Sequence, residues 1–261
     1  MAEAVTEQGV PTPQVRRIDL DQPWHWLAAG WRDLRMAPGV SLMYGAVYAL
    51  IGCALTTWLW LEQILYVSLP LAATFTLIGP IAAVGLYQVS RDLEAEGRAD
   101  LGRSLTAFQA NPGQIAFMGV ILLLFALAWM RLAFLLFMLF FGHSPMAPEA
   151  LTMIDTFLAP QHLPFLILGT AIGAGLAGLV FAISVVSIPL LLDRPEANVI
   201  TAIATSYEAV RQNFWPMLLW AWLIAMFIAV GIATLYLGLI VFLPMIGLAT
   251  WHAYKDLVAW D

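Results

Sequence analysis

An all-α polytopic membrane protein is the fold this sequence predicts, on three observations. Of the 261 residues, 62% are apolar and only 11% are charged, proportions that a soluble chain of this length does not sustain. Several apolar runs reach or pass the ~20 residues that span a ~30 Å hydrocarbon layer. Every Lys and Arg except Arg131 falls in hydrophilic segments that a six-span threading places on one side. The net charge of −6 is small and spread over short segments, which excludes a nucleic-acid footprint. The single cysteine, Cys53, lies in an apolar run and has no partner in the chain.

Residues 1–22 are polar, hold Pro11 and Pro13, and lack the apolar core of a signal peptide, so a disordered cytoplasmic tail is expected there. The remainder, 23–258, is expected to be one six-helix transmembrane domain. From Trp24 to Met36, Trp24, Leu27, Trp31 and Leu34 recur at helical spacing while Arg32, Asp33 and Arg35 fall off that stripe. This pattern predicts a short amphipathic helix lying in the membrane interface, ended by Pro38-Gly39.

Two spans follow, 40–61 and 64–89, separated at Glu62-Gln63. One helix of their combined length would exceed ~70 Å at ~1.5 Å per residue, far more than a bilayer core accommodates. Trp58, Trp60 and Tyr66 sit around the turn, where an aromatic belt belongs. The loop 90–111 carries Leu101, Leu105 and Phe108 at helical spacing, a second interfacial pattern ended by Pro112-Gly113. Residues 114–141 cross next. Residues 142–163 hold no Lys or Arg, which marks the side away from the cytoplasm.

Residues 164–192 cross back. Gly169, Gly173 and Ala177, and again Ala174, Gly178 and Ala182, recur every four residues, and such faces let helix backbones approach closely. This span is therefore expected at the centre of the bundle. The loop 193–215 repeats the interfacial stripe with Ile200, Ile203, Tyr207 and Val210. The last apolar run is again too long for one crossing and divides into spans 216–234 and 238–254. Six spans put both termini in the cytoplasm of a bacterial inner membrane.

The plan repeats three times: an amphipathic stretch, a proline, a hairpin of two spans, a proline in the second of them. Pro80 is followed by Tyr87 at seven residues and by Arg91, Asp92 and Leu93 at eleven to thirteen. Pro244 is followed at the same offsets by Trp251, Lys255, Asp256 and Leu257. Pro189 breaks the spacing, with Asp193 and Arg194 at four and five. Three duplicated hairpin units account for this pattern, a common device of membrane folds.

Particular residues carry a resemblance. Trp31 to Leu34, Gly79-Pro80 through Tyr87, Trp129-Met130-Arg131, Phe140-Phe141-Gly142, the run Val180 to Arg194, and Ala249 to Tyr254 with Trp251 and His252 resemble the bacterial integral membrane family known as domain of unknown function 2189. The resemblance runs from Trp24 to Val258 and implies a six-span inner-membrane protein without an assigned activity. Some members carry a cytochrome c oxidase label, which these residues do not support. Leu248 stands where members often have a histidine, four residues before His252.

An oxidase core needs several intramembrane histidines, and here His25, His143 and His162 lie outside the spans, with only His252 near a helix end. His252 is expected to be an interfacial residue bonded to a carbonyl or a lipid headgroup rather than a metal ligand. No phosphate loop, nucleophile elbow or His-Glu-x-x-His pattern occurs. Ser184 and Ser187 are expected to satisfy carbonyls freed by Pro189. Neither a cofactor nor a metal is implied.

Arg131 is the exception. Seventeen residues beyond Gln114, it lies ~25 Å into the span, near the outer edge of the core. An ion pair with Glu62 is the expected partnership, with Glu149 and Asp155 as alternatives. The function expected is that of a non-catalytic accessory or scaffold protein, binding membrane lipids, other membrane proteins or a second copy of itself. A small transporter of a lipid, an anion or an apolar solute is the alternative.

Overall fold

In the computed structural model of the chain, residues 13–141 and 160–260 are described. Helix α1 (Gln22–Met36) leads into α2 (Pro38–Leu61), and after a 3-10 turn at Leu65–Val67 come α3 (Ser68–Ala82) and α4 (Val84–Glu96), end to end. The short α5 (Leu101–Leu105) and a 3-10 turn at Ala107–Ala110 precede α6 (Pro112–Phe141). Beyond a turn at Pro160–His162, α7 (Leu163–Ser184) and α8 (Ser187–Asp193) form a second pair end to end. Then α9 (Val199–Gln212), α10 (Phe214–Ala233) and α11 (Leu239–Leu257) follow.

Among the described residues five rods are long and apolar enough to cross a membrane: Pro38–Leu61, Ser68–Glu96, Pro112–Phe141, Leu163–Asp193 and Phe214–Ala233. The class, an all-α polytopic membrane protein, follows from them. Helix α11, the sixth span expected from the sequence, is not among the five; its last turns carry His252, Lys255 and Asp256.

Both joints within the rods lie close to a proline. Pro80 precedes the joint at Ala83 by three residues, and Pro189 follows the joint at Val185 and Val186 by three. A joint interrupts the helical ladder, and in an apolar layer each backbone group it frees needs a partner. A hydroxyl from a neighbouring helix is bonded at each joint: Tyr48 Oη donates to the Ala82 carbonyl at 2.8 Å, and Ser206 Oγ accepts from Val186 N–H at 3.2 Å.

The centre of the bundle is α11, whose Leu248, Ala249, Trp251 and Leu257 are completely buried. Glycines permit the close approach. A Cβ on Gly30 of α1 would meet the Met245 carbonyl oxygen at 2.6 Å, and one on Gly45 of α2 would collide with the backbone of Ile240. The expectation that 164–192 forms the centre holds for its last residues, Ser184 to Leu192, which are all buried, and is corrected for the rest of α7. In α7, Gly169, Gly175 and Gly178 have nothing within 4 Å of an added Cβ, and Gly173 alone packs, against the Trp129 ring. Small residues allow a close contact, but the number of neighbouring helices decides which helix is central.

Residues 13–22 also differ from the disordered tail expected of them. Pro13–Val15 forms β1, paired antiparallel with β2 (Val258–Trp260) in the register Gln14 opposite Ala259. Asn213 secures the segment, donating to the Arg16 carbonyl at 2.9 Å and accepting from Ile18 N–H at 2.9 Å. The backbone partners come from the far end of the chain, so no local pattern announces them. Residues 1–12 lie outside the described residues.

Candidate functional site

The ends of α4, α8 and α11 pack together, and one carboxylate stands where they meet. Asp193, at the last residue of α8, accepts a hydrogen bond from the Tyr254 hydroxyl at 2.8 Å. Three cations surround it: Arg91 Nε at 3.7 Å, Arg194 Nε at 4.0 Å and Lys255 Nζ at 4.0 Å. One comes from the C-terminal half of α4, one follows α8 directly, and one comes from the last turn of α11. Arg91 also donates to the Leu192 carbonyl at 3.2 Å, satisfying a helix-end acceptor. Arg194 lies over the Trp260 ring at 4.8 Å and Lys255 over Trp251 at 5.8 Å, arrangements in which aromatic faces attract the cations. The structure thus gathers Arg91, Asp193, Arg194 and Tyr254, which the sequence singles out separately.

The neighbouring acids are engaged otherwise. Asp256 accepts from Gln22 Nε2 and Trp26 Nε1, both at 2.7 Å, and so ties α11 to α1. Asp92 is buried, with Oδ1 accepting from Gln88 at 2.8 Å and facing Arg103 of α5 at 3.5 Å. Its other oxygen, Oδ2, is buried without a hydrogen-bond partner among the described residues. Trp251 donates its indole N–H to Glu94 at 3.1 Å.

Asp33 is buried between α1, α4 and α11. Its Oδ2 accepts from the Ser90 hydroxyl at 2.8 Å and lies 2.7 Å from His252 Nε2. His252 is therefore neither carbonyl-bonded nor a free interfacial residue: its partner is a buried carboxylate. Sequence reasoning missed Asp33 and Ser90. The available signal was spacing, since Trp26, Gly30 and Asp33 share a helix face that a stripe drawn through Trp24 and Trp31 leaves out. Because Asp33 holds both Ser90 and His252 at one oxygen, the trio has a structural geometry, without the nucleophile-to-imidazole contact of a hydrolytic triad. Among the described residues no group of three or more His, Cys, Asp or Glu is arranged to hold a metal ion.

Ser184 and Ser187 do bond helical carbonyls, but not the one that Pro189 frees. Ser184 Oγ donates to Val180 at 2.7 Å and Ser187 Oγ to Ile183 at 2.5 Å, each four residues back. The i−4 carbonyl is simply the nearest acceptor to a helical hydroxyl. Tyr87 and Trp251, matched by their offsets from proline, are both core residues.

The expected ion pair between Arg131 and Glu62 does not form among the described residues. Arg131 is exposed on the outer side of α6 among Leu127, Phe134 and Leu135, and Glu62 is exposed at the end of α2. The physical reason is arrangement: α6 packs on α3 and α7, whereas α2 packs on α11. Glu149 and Asp155 lie outside the described residues.

Each of the three amphipathic segments turns some of its large apolar side chains outward. Trp24 and Trp31 of α1, Leu101, Leu105 and Phe108 around α5, and Ile200 and Tyr207 of α9 are exposed. The expected stripe of α1 is split, because Leu27 and Leu34 are buried beside Trp26; the sides toward the bundle otherwise carry small or polar residues, Gly30 and Asp33, Ser104 and Ala107, Ala202, Ser206 and Ala209. At the surface of α9, Glu208 accepts from Arg211 Nε at 2.8 Å and from Gln212 at 2.7 Å. These bonds, that to Arg211 first, pull the Glu208 carboxyl down to about 2.

A family model described as predicted integral membrane protein (DUF2189) matches residues 67–193, from the turn after α2 to the end of α8. No curated protein and no solved structure matches the chain.

Proposed function

Because residues 67–193 belong to that family of predicted integral membrane proteins of unknown function, we propose that the chain is a non-catalytic accessory protein of a bacterial inner membrane. It crosses six times, with α11 as the last span and both termini in the cytoplasm. Its three amphipathic segments lie in the cytoplasmic interface, where they engage lipid and other membrane subunits. The observation that carries this reading is the outward set of Trp24, Trp31, Leu101, Leu105, Phe108, Ile200 and Tyr207. In water such a set would be costly at roughly 25 cal/mol per Å² of apolar surface, whereas a headgroup boundary accommodates it. The distribution of cations supports the threading, and the shared burial of Tyr87 with Trp251 and of Leu93 with Leu257 supports the duplicated hairpins.

Single-tryptophan variants in bilayers with brominated acyl chains test the reading. Trp24 and Trp31 are expected to be quenched by bromines near the headgroup, and buried Trp26 to be spared. Equal emission of all three in brominated and ordinary lipid defeats it.

A second reading, a transporter of a lipid or apolar solute, is favoured by a groove of about 440 Å³ between α3, α6 and α7. Its lining includes Pro70, Ala73, Trp129, Phe137, Gly169 and Ala174. It follows α7 from Phe165 to Ala177, roughly 18 Å at ~1.5 Å per residue, close to one leaflet's share of a ~30 Å core. One acyl chain of the outer leaflet matches that length. Fluorescent-lipid flip in proteoliposomes, faster than in empty liposomes and slowed by Gly169→Leu, is the expected result; a rate equal to that of empty liposomes removes the reading.

A further inference from the structure

We propose that Arg91, Arg194 and Lys255 form a binding site for a phosphate group where the ends of α4, α8 and α11 meet. Charge-assisted hydrogen bonds between a nitrogen and a carboxylate run about 2.7–2.9 Å. The three cations stand 3.7, 4.0 and 4.0 Å from Asp193, so they are gathered by the carboxylate without being hydrogen-bonded to it. The short bond to Asp193 comes from the neutral Tyr254 hydroxyl instead.

Three positive charges against one negative leave an excess of two, and most of the donors remain unspent. Arg91 gives one N–H to the Leu192 carbonyl. The Arg194 Nε is buried and has no hydrogen-bond partner among the described residues. Lys255 is held by the Trp251 face and the distant carboxylate. Each cation is also reachable, with 35%, 39% and 40% of the Arg91, Arg194 and Lys255 side chains exposed. A phosphate offers several acceptor oxygens to such a cluster, and arginine forks suit its geometry.

Among the described residues, the neighbouring acids with hydrogen bonds are engaged elsewhere. Asp256 is taken up by Gln22 and Trp26, and Asp92 by Gln88 and Arg103. Glu94, bound to the Trp251 indole, and the exposed Glu196 are the remaining competitors among the described residues. The site also recurs with the hairpin plan, because each second span delivers one cation to it. Arg194, out of step when counted from Pro189, stands eight residues beyond Val186, as Arg91 stands eight beyond Ala83. Counting from the helix joints rather than the prolines restores the spacing.

The phosphate has two possible sources, an anionic phospholipid headgroup and a free phosphate. The lipid source rests on the reading that this end lies in the cytoplasmic interface; the cation geometry does not. Basic pockets between spans on that side favour anionic headgroups, by about fivefold per Lys or Arg.

The test uses the full chain in phosphatidylcholine nanodiscs, probed with inorganic phosphate by calorimetry and, separately, with phosphatidylglycerol retention by native mass spectrometry. Arg194→Gln and Lys255→Gln are each expected to weaken binding about fivefold. Asp193→Asn removes the competing charge, keeps an acceptor for Tyr254 and is expected to tighten binding. Loss of phosphatidylglycerol retention in the cation variants assigns the lipid source, and a change confined to inorganic phosphate assigns the soluble one. Unchanged binding of both probes overturns the site. Should the cation variants fail to fold, Asp193→Asn decides alone: tighter binding supports the site, equal or weaker binding overturns it. The brominated-lipid experiment is independent, so loss of the interfacial reading leaves the calorimetric arm standing.

Discussion

His252 Nε2 lies 2.7 Å from Asp33 Oδ2, joining the last turns of α11 to α1 across 219 residues of sequence. The Asp33 side chain is 5% exposed and that of His252 20%, so little solvent compensates if either is lost. Removing one partner of a buried pair leaves the other desolvated and unbonded. Asp33→Ala is therefore expected to cost about 3 kcal/mol or more, because it strands His252 and leaves Ser90 with only the long bond to the Leu248 carbonyl at 3.4 Å. Asp33→Asn, which keeps an acceptor, is expected to cost less. Thermal unfolding of the purified protein in detergent checks the order; equal midpoints for Asp33→Ala and the parent would show that the contact contributes nothing.

Glycines divide into two groups that unfolding should separate. Gly45→Ala drives a methyl into the Ile240 backbone, which cannot swing aside as a side-chain tip can. Strain of that kind costs about 1–3 kcal/mol, occasionally more. Gly178→Ala meets nothing within 4 Å and replaces a poor helix former by the best one. Its midpoint is expected to be unchanged or raised. Equal losses for both variants would contradict the central place of α11.

Glu208 provides a pH dependence of known sign. Its carboxyl is pulled down to about 2 by the hydrogen bond from Arg211 and then by that from Gln212. A depressed carboxylate stabilises the fold fully above its ordinary range, and that contribution is lost as pH falls through the folded value of about 2. Both partners are on the surface, so the effect is small. The difference in midpoint between the parent and Glu208→Gln should stay constant from pH 7 to pH 5 and shrink only in stronger acid. A difference that vanishes at pH 5 would mean that the pair is not formed.

Threading is tested by cysteine labelling in a Cys53→Ser background. With the loops of the three interfacial segments in the cytoplasm, Arg98→Cys is expected to react with an impermeant maleimide in inverted vesicles and not in intact cells. Glu62→Cys is expected to behave oppositely. Labelling of residue 98 from the outside of cells would reverse the orientation.

Much of the membrane architecture was legible because it rests on length and apolarity, which are properties of single segments. The five rods named above fall where the apolar runs predict them, and the turn after Leu61 falls at the polar pair Glu62-Gln63. The resemblance to the family named above holds over 67–193, which leaves α11 outside the matched stretch. Pairings were less legible. Glu62 and Arg131 looked like partners because both were placed near the outer face, yet depth says nothing about which rods are neighbours. Asp33 falls off the apolar stripe of its helix in the sequence, yet it is buried, because Ser90 and His252 reach it from other helices.

The amino-acid order by itself determined that this chain enters a membrane, because transfer of an apolar run into hydrocarbon depends on that run alone. It also determined, through residue type, where the cations and carboxylates stand along the chain. Only the tertiary structure decided that α11 rather than α7 occupies the centre, that Trp24 and Trp31 stand outward while Leu27 and Leu34 of the same stripe are buried, and that Arg91, Arg194 and Lys255 share one carboxylate. Those outcomes depend on contacts between distant segments, and a linear pattern records a side chain's nature but not the surface that comes to lie against it.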